Sequence, residues 1–114
     1  MIHSMTLFER PFHSIKSGRK VVEVRLNDER RRKVKIGDVI EFAKLPDKKE
    51  TIRAEVLELR EYNTFEEMYE DIPFQDFDCE SWTMEEMIEA TYKIYTREQE
   101  QQWGTLAIKI KELA

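Results

Sequence analysis

Gly18-Arg19-Lys20-Val21-Val22-Glu23-Val24-Arg25-Leu26 decides the reading of this chain, together with Lys35-Ile36-Gly37-Asp38-Val39-Ile40-Glu41-Phe42 downstream. Gly18 suits the left-handed position that ends a helix. From Val21 to Leu26 the residues alternate as in a strand: Val22, Val24 and Leu26 share one face, and Val21, Glu23 and Arg25 the other. Glu23 and Arg25 therefore project on the same side, about 6.5–7 Å apart, the two-residue repeat of a strand. With Lys20 at the strand's start they place cation, anion and cation in a row. Such a row makes either the polar floor of a pocket or an exposed ion-pair ladder. Gly37-Asp38 marks the bend into a second strand, Val39–Leu45.

Outward from this core, a strand is expected near His3–Phe8 and a short helix over Arg10–Ser17. Pro11 suits the first turn of that helix, and Phe12 and Ile15 make its apolar face. Asn27–Lys35 reads as a charged turn with room for one helical turn, and residues 46–49 as a hairpin turn. Thr51–Tyr62 is a long strand. Its apolar parity slips from Ile52, Ala54 and Val56 to Leu57 and Leu59, which predicts a bulge. Thr64-Phe65-Glu66-Glu67 and Thr83-Met84-Glu85-Glu86 both fit the capping box, so each opens a helix. The second helix is expected over Met84–Tyr95, with Met84, Met87, Ile88, Thr91 and Tyr95 as a core-facing stripe. A last strand, Gly104–Lys111, turns Leu106, Ile108 and Ile110 inward. About five strands and three or four helices in mixed order predict an α+β fold: a small curled sheet or β-barrel with helices at its rim.

The chain has 114 residues, the length of one domain (residues 1–114). It is 40% hydrophobic, enough for a core, and 38% charged, well above the roughly 25% of an average chain. The net charge is −5, which excludes a uniformly basic nucleic-acid coat. The charge is nonetheless segregated. Between Lys16 and Lys35 nine basic residues face three acidic ones, a surplus of six, so the remainder of the chain carries −11. A polyanion would meet one side only. One cysteine, Cys79, forms no internal disulfide, and with only His3 and His13 no Cys/His-rich metal site is expected. No apolar run approaches the roughly 20 residues that span a bilayer, and the first ten residues lack a signal-peptide core. A cytosolic protein without membrane contact or cofactor is expected. The loop Ile72–Trp82 sets Phe74, Phe77 and Trp82 among Asp76, Asp78 and Glu80. These rings either stack a base or anchor the loop.

The segment Gly18–Arg25 matches the Gly-x-Lys-x-x-Glu-x-Arg signature of the ASCH domain, and Lys35–Phe42 matches that family's basic-apolar-Gly-Asp start of a strand. The chain resembles this family over most of its length. The resemblance implies a PUA-like β-barrel of about five strands with flanking helices and a cleft over the barrel. It implies two functions. The first is an RNA- or nucleotide-binding module, its cleft floored by Lys20, Glu23 and Arg25, with Arg19 and Trp82 as further ligand contacts. Arg30, Arg31, Arg32 and Lys33 would attract phosphates. The second is an amidohydrolase on a modified nucleoside such as N4-acetylcytidine, as in a small bacterial branch where a Lys, a Thr three residues later and a distant Glu carry catalysis. Lys20 matches the Lys and Glu80 the distant Glu, but position 23 is Glu and not Thr. Glu23 would then act as a general base on water. A third reading is a protein-interaction module on the acidic face from Glu55 to Glu89.

Overall fold

The computed structural model describes residues 1–114. Its elements run β1 (Ile2–Leu7), α1 (Glu9–Lys16), β2 (Val22–Leu26), a 3-10 turn (Arg31–Lys33), β3 (Val39–Lys44), β4 (Thr51–Tyr62), α2 (Phe65–Asp71), a second 3-10 turn (Phe74–Phe77), α3 (Met84–Thr91), α4 (Arg97–Trp103) and β5 (Thr105–Glu112). The strands form one sheet in the order β1-β3-β4-β5-β2. β1 and β3 are parallel; the other three pairs are antiparallel. The expected bulge is present as a register shift between Val56 and Glu58.

The sheet curls, so each face has its own core. Met5, Phe42, Ile40, Val56, Ile108 and Ile110 fill the concave side with Phe12 and Ile15 of α1. Val22, Leu26 and Ala107 on the other side pack against Phe65, Met68 and Tyr69 of α2 and Met87 of α3. That is why β2 is buried on both faces. Glu23 lies opposite Ile108 and Arg25 opposite Leu106 across the β2–β5 pair, so both charges share the concave face with apolar neighbours.

No ladder joins β1 to β2, the two ends of the sheet. Side chains bridge them instead. Arg25 on β2 donates from Nη2 to the Thr6 carbonyl on β1 at 2.8 Å, and Arg30 donates to the Ser4 carbonyl at 2.6 Å. The half-barrel is thus closed by guanidinium groups at the very edge that carries the sequence signature.

Two expectations about helices need correction. The α3 helix stops at Thr91, four residues short of Tyr95, where Ile94 and Tyr95 N–H both fold back onto the Thr91 carbonyl. The capping box at Thr83 is complete, but at Thr64 only half forms. Thr64 accepts from Glu67 N–H, while Glu100 of α4 takes the Phe65 N–H at 2.8 Å. Glu100 is buried, and its carboxylate also accepts from the Tyr92 hydroxyl, which lies 2.7 Å from each oxygen.

Candidate functional site

The motif is positioned from α1 onward. Gly18, at φ 80°, turns the chain out of the helix, and the Arg19 and Lys20 N–H groups both donate to the Ser14 carbonyl at 3.0 Å. Val21 N–H then donates to the Asp76 carbonyl of the second 3-10 turn. This stitching delivers Lys20 to the start of β2 with its side chain turned inward. Lys20 Nζ meets Glu23 Oε1 at 2.9 Å, and Arg25 Nε meets Glu23 Oε2 at 2.7 Å. One carboxylate therefore bridges two cations. The Glu23 side chain is only 4% exposed. Burial pushes its carboxyl up, but the charges and hydrogen bonds of Lys20 and Arg25 outweigh this and hold it below the ordinary carboxylate range. Glu23 in turn holds the Arg25 guanidinium above its ordinary value, against the opposing effect of burial, so this pair is charged at neutral pH.

Lys20, Glu23 and Arg25 line a single cleft of about 410 Å³ in the gap between β1 and β2. Its sequence-distant walls come from Thr6, Leu7 and Phe8 after β1, Tyr69 of α2, Phe77 and Trp82 of the connecting segment, and Thr91, Ile94 and Tyr95 at the end of α3. Twelve of the nineteen lining residues are hydrophobic, an apolar lining with a few polar groups, which is the usual make-up of a small-ligand site. Phe8 and Ile94, each 61% exposed, stand at the cleft as unburied apolar side chains. The Arg10 guanidinium lies 5.6 Å from the Trp82 ring centroid and backs it. The Tyr69 hydroxyl is pushed up to about 12 by burial and stays neutral; burial raises the Cys79 thiol as well.

The remaining predicted residues are more scattered. Trp82 is on the wall of the cleft. Arg19 is not. It points outward to Asp78 at 3.2 Å, where Asp78 also accepts from Ser14. Glu80 is exposed and absent from the wall, because Trp82 N–H donates to the Cys79 carbonyl and the turn so formed throws its central residues, Glu80 and Ser81, towards solvent. Lys20 and Glu23 therefore meet in one site without Glu80. Phe74 and Phe77 pack edge-on to Tyr69, at 6.4 and 5.3 Å between ring centroids, and anchor the loop.

Of the basic run, Arg31 alone reaches the cleft, and it is paired with Asp28 at 2.9 Å. Arg30 is bonded to β1, Arg32 donates to the Asn27 carbonyl and lies over Trp103, and Lys33 is exposed. Sequence reasoning missed Tyr69, Thr91 and Tyr95 as site residues. The only sequence signal for Thr91 and Tyr95 was their place in the stripe expected over Met84–Tyr95, and Tyr69 had none.

A family model described as the ASCH domain matches residues 5–114. The crystal structure of a hypothetical protein superposes with a TM-score of 0.88 and 33% identity, covering 99% of this chain and 100% of that one. The solution NMR structure of a protein from Pyrococcus furiosus gives a TM-score of 0.78 and 35% identity, covering 99% of this chain and 98% of that one. No curated protein matches the chain.

Proposed function

This chain belongs to the ASCH domain family, and we propose that it is a binding domain whose cleft takes one nucleobase or nucleoside-like group, free or within single-stranded RNA. The observation that carries this reading is the ion-paired Lys20–Glu23–Arg25 triad in a predominantly apolar cleft of about 410 Å³. That volume falls within the roughly 300–1,000 Å³ of small-ligand sites. A flat, amphipathic group fits such a lining. Its faces meet Trp82, Tyr95 and Val24, and its polar edge meets the triad. Stacking on one aromatic ring is worth on the order of 1–3 kcal/mol per base. Arg31 at the cleft and the exposed Lys33 beside it supply a sequence-independent attraction for a phosphate.

Hydrolysis of an N-acylated nucleoside such as N4-acetylcytidine is the weaker reading. It requires Lys20, Glu23 and Glu80 around one point, and Glu80 faces solvent.

Trp82 provides the assay. In a Trp103→Phe background it is the sole tryptophan, and its emission reports occupation of the cleft. Titration with the four nucleoside monophosphates and with a short single-stranded oligoribonucleotide is expected to give a saturable change that Lys20→Met weakens. RNA affinity is expected to fall with salt at a slope of about −0.7 per neutralised phosphate, and Arg31→Ala with Lys33→Ala to flatten that slope. No saturable change with any of these ligands would overturn the proposal. Release of cytidine from N4-acetylcytidine, abolished in Lys20→Ala, would replace it with the hydrolase.

A further inference from the structure

Building on the nucleobase reading above, we infer that the cleft selects a base edge of carbonyl acceptors and rejects one carrying an exocyclic amine, so that uracil is preferred to cytosine. The inference rests on which hydrogen-bonding groups of the cleft are already occupied.

The backbone comes first. In β2 the odd-numbered residues bond to β5: Ile110 N–H donates to the Val21 carbonyl, and Asn27 N–H donates to the Gly104 carbonyl. The alternation of an antiparallel pair then turns the Val24 N–H and C=O the other way, into the gap. In β1 the Met1 and Leu7 carbonyls accept from Val39 and Leu45 of the β3 side, so Thr6 turns its N–H and C=O to the open edge. Both Thr6 and Val24 line the cleft. The Thr6 carbonyl is taken by Arg25, and the Val24 carbonyl accepts from the Tyr95 hydroxyl at 3.4 Å. The strand alternation leaves the two N–H groups without a partner in the sheet.

The side chains show the same bias. Each Glu23 oxygen already accepts from a cation. The Thr91 hydroxyl donates to the Met87 carbonyl, so at the 2.7 Å contact between Tyr69 and Thr91 it is the phenol that donates. The strongest acceptors of the cleft, the Glu23 carboxylate and the Thr6 and Val24 carbonyls, therefore each already hold a donor. The donors that remain include the Thr6 and Val24 N–H groups, Arg25 Nη1, the Lys20 ammonium hydrogens that Glu23 does not take, and Arg31 Nε, which is buried without a partner. The charges agree. Lys20, Arg25 and Arg31 line the wall against the single carboxylate of Glu23, and Asp28, the partner of Arg31, is not part of it.

A carbonyl oxygen entering this lining finds donors. An exocyclic amine finds donors and positive charge, and must compete with Lys20, Arg25 and Tyr95 for acceptors they already hold. Uridine and cytidine monophosphates share ribose and phosphate and differ at this edge, so their affinity ratio isolates the effect. The Trp82 titration is expected to give uridine monophosphate an affinity at least about tenfold higher, and Lys20→Met is expected to narrow the ratio. Equal affinities, or tighter cytidine monophosphate, would overturn the inference and leave nucleotide binding standing. Binding of neither, by protein whose circular dichroism and thermal unfolding show it folded, would overturn the nucleobase reading and this inference with it.

Discussion

Glutamine at position 23 removes one charge from the centre of the triad and leaves its shape. At contacts of 2.9 and 2.7 Å and an effective dielectric of about 20, each cation is attracted to Glu23 by a gross ~6 kcal/mol. Against this stands a desolvation cost of several kcal/mol for each of three largely buried ions. The intact triad therefore adds little net stability. Breaking it is a different matter, because Lys20 and Arg25 remain buried beside each other with no counter-charge. Removal of one partner from a buried pair costs about 3–5 kcal/mol. Glu23→Ala is expected across that range, and Glu23→Gln at its lower end, since the amide oxygen still accepts one bond. For a domain held by roughly 5–15 kcal/mol this is a large fraction. Urea denaturation followed by circular dichroism at pH 7 measures it. The pH dependence gives a second readout. The Glu23 carboxyl is held below its ordinary value of 4.5 in the folded protein, so its stabilisation is fully present above that value and lost as pH falls through the folded value. The gap between wild type and Glu23→Gln must then close in acid. A loss below about 1 kcal/mol at pH 7, or a gap unchanged on acidification, would refute the account of the triad.

Three further outcomes are expected. Glu100→Ala strands the buried Phe65 N–H and the Tyr92 hydroxyl and is expected to cost roughly 1–3 kcal/mol in the same assay, with Glu100→Gln recovering part of it. Asp38 is held at about 2, chiefly by its hydrogen bond from His3 and then by the Lys35 N–H. Its contribution is present above the ordinary 3.8 and is lost as pH falls towards 2, so Asp38→Asn is expected to shrink the acid-induced loss of stability in that window, read by thermal unfolding at stepped pH. Gly104→Ala sets a Cβ at φ 72°, 3.0 Å from the Tyr62 carbonyl oxygen, and is expected to lower stability by about 1–3 kcal/mol.

Local chemistry made the sheet and half of the site legible in the sequence. The parity slip at Val56–Leu57 announced the bulge, and the alternation of Val21–Leu26 set Glu23 and Arg25 on one side. Neither depends on distant contacts. α4 escaped because Arg97–Trp103 has a single large apolar residue and no stripe; the Thr96–Gln99 capping box that opens it was the available signal. The burial of Glu100 has no local cause, since it depends on α4 docking against α2. The same limit applies to the cleft. Tyr69 and Tyr95 arrive there only when α2 and α3 fold over the back of β2. Glu80 was misplaced because a sequence offset before a helix does not fix the direction of a turn.

The guanidinium closure of the half-barrel bears on self-association. A sheet end that leaves its carbonyls open is a template for a foreign strand. Here Ser4 and Thr6, two of the three outward-facing residues of β1, have their carbonyls occupied by Arg30 and Arg25. A second chain would have to displace both to pair along the length of β1. The run of positive charge that reads as a nucleic-acid feature thus also guards an exposed strand. Loss of Arg30 would be felt first as a rise in aggregation on storage, before any change in what the cleft holds.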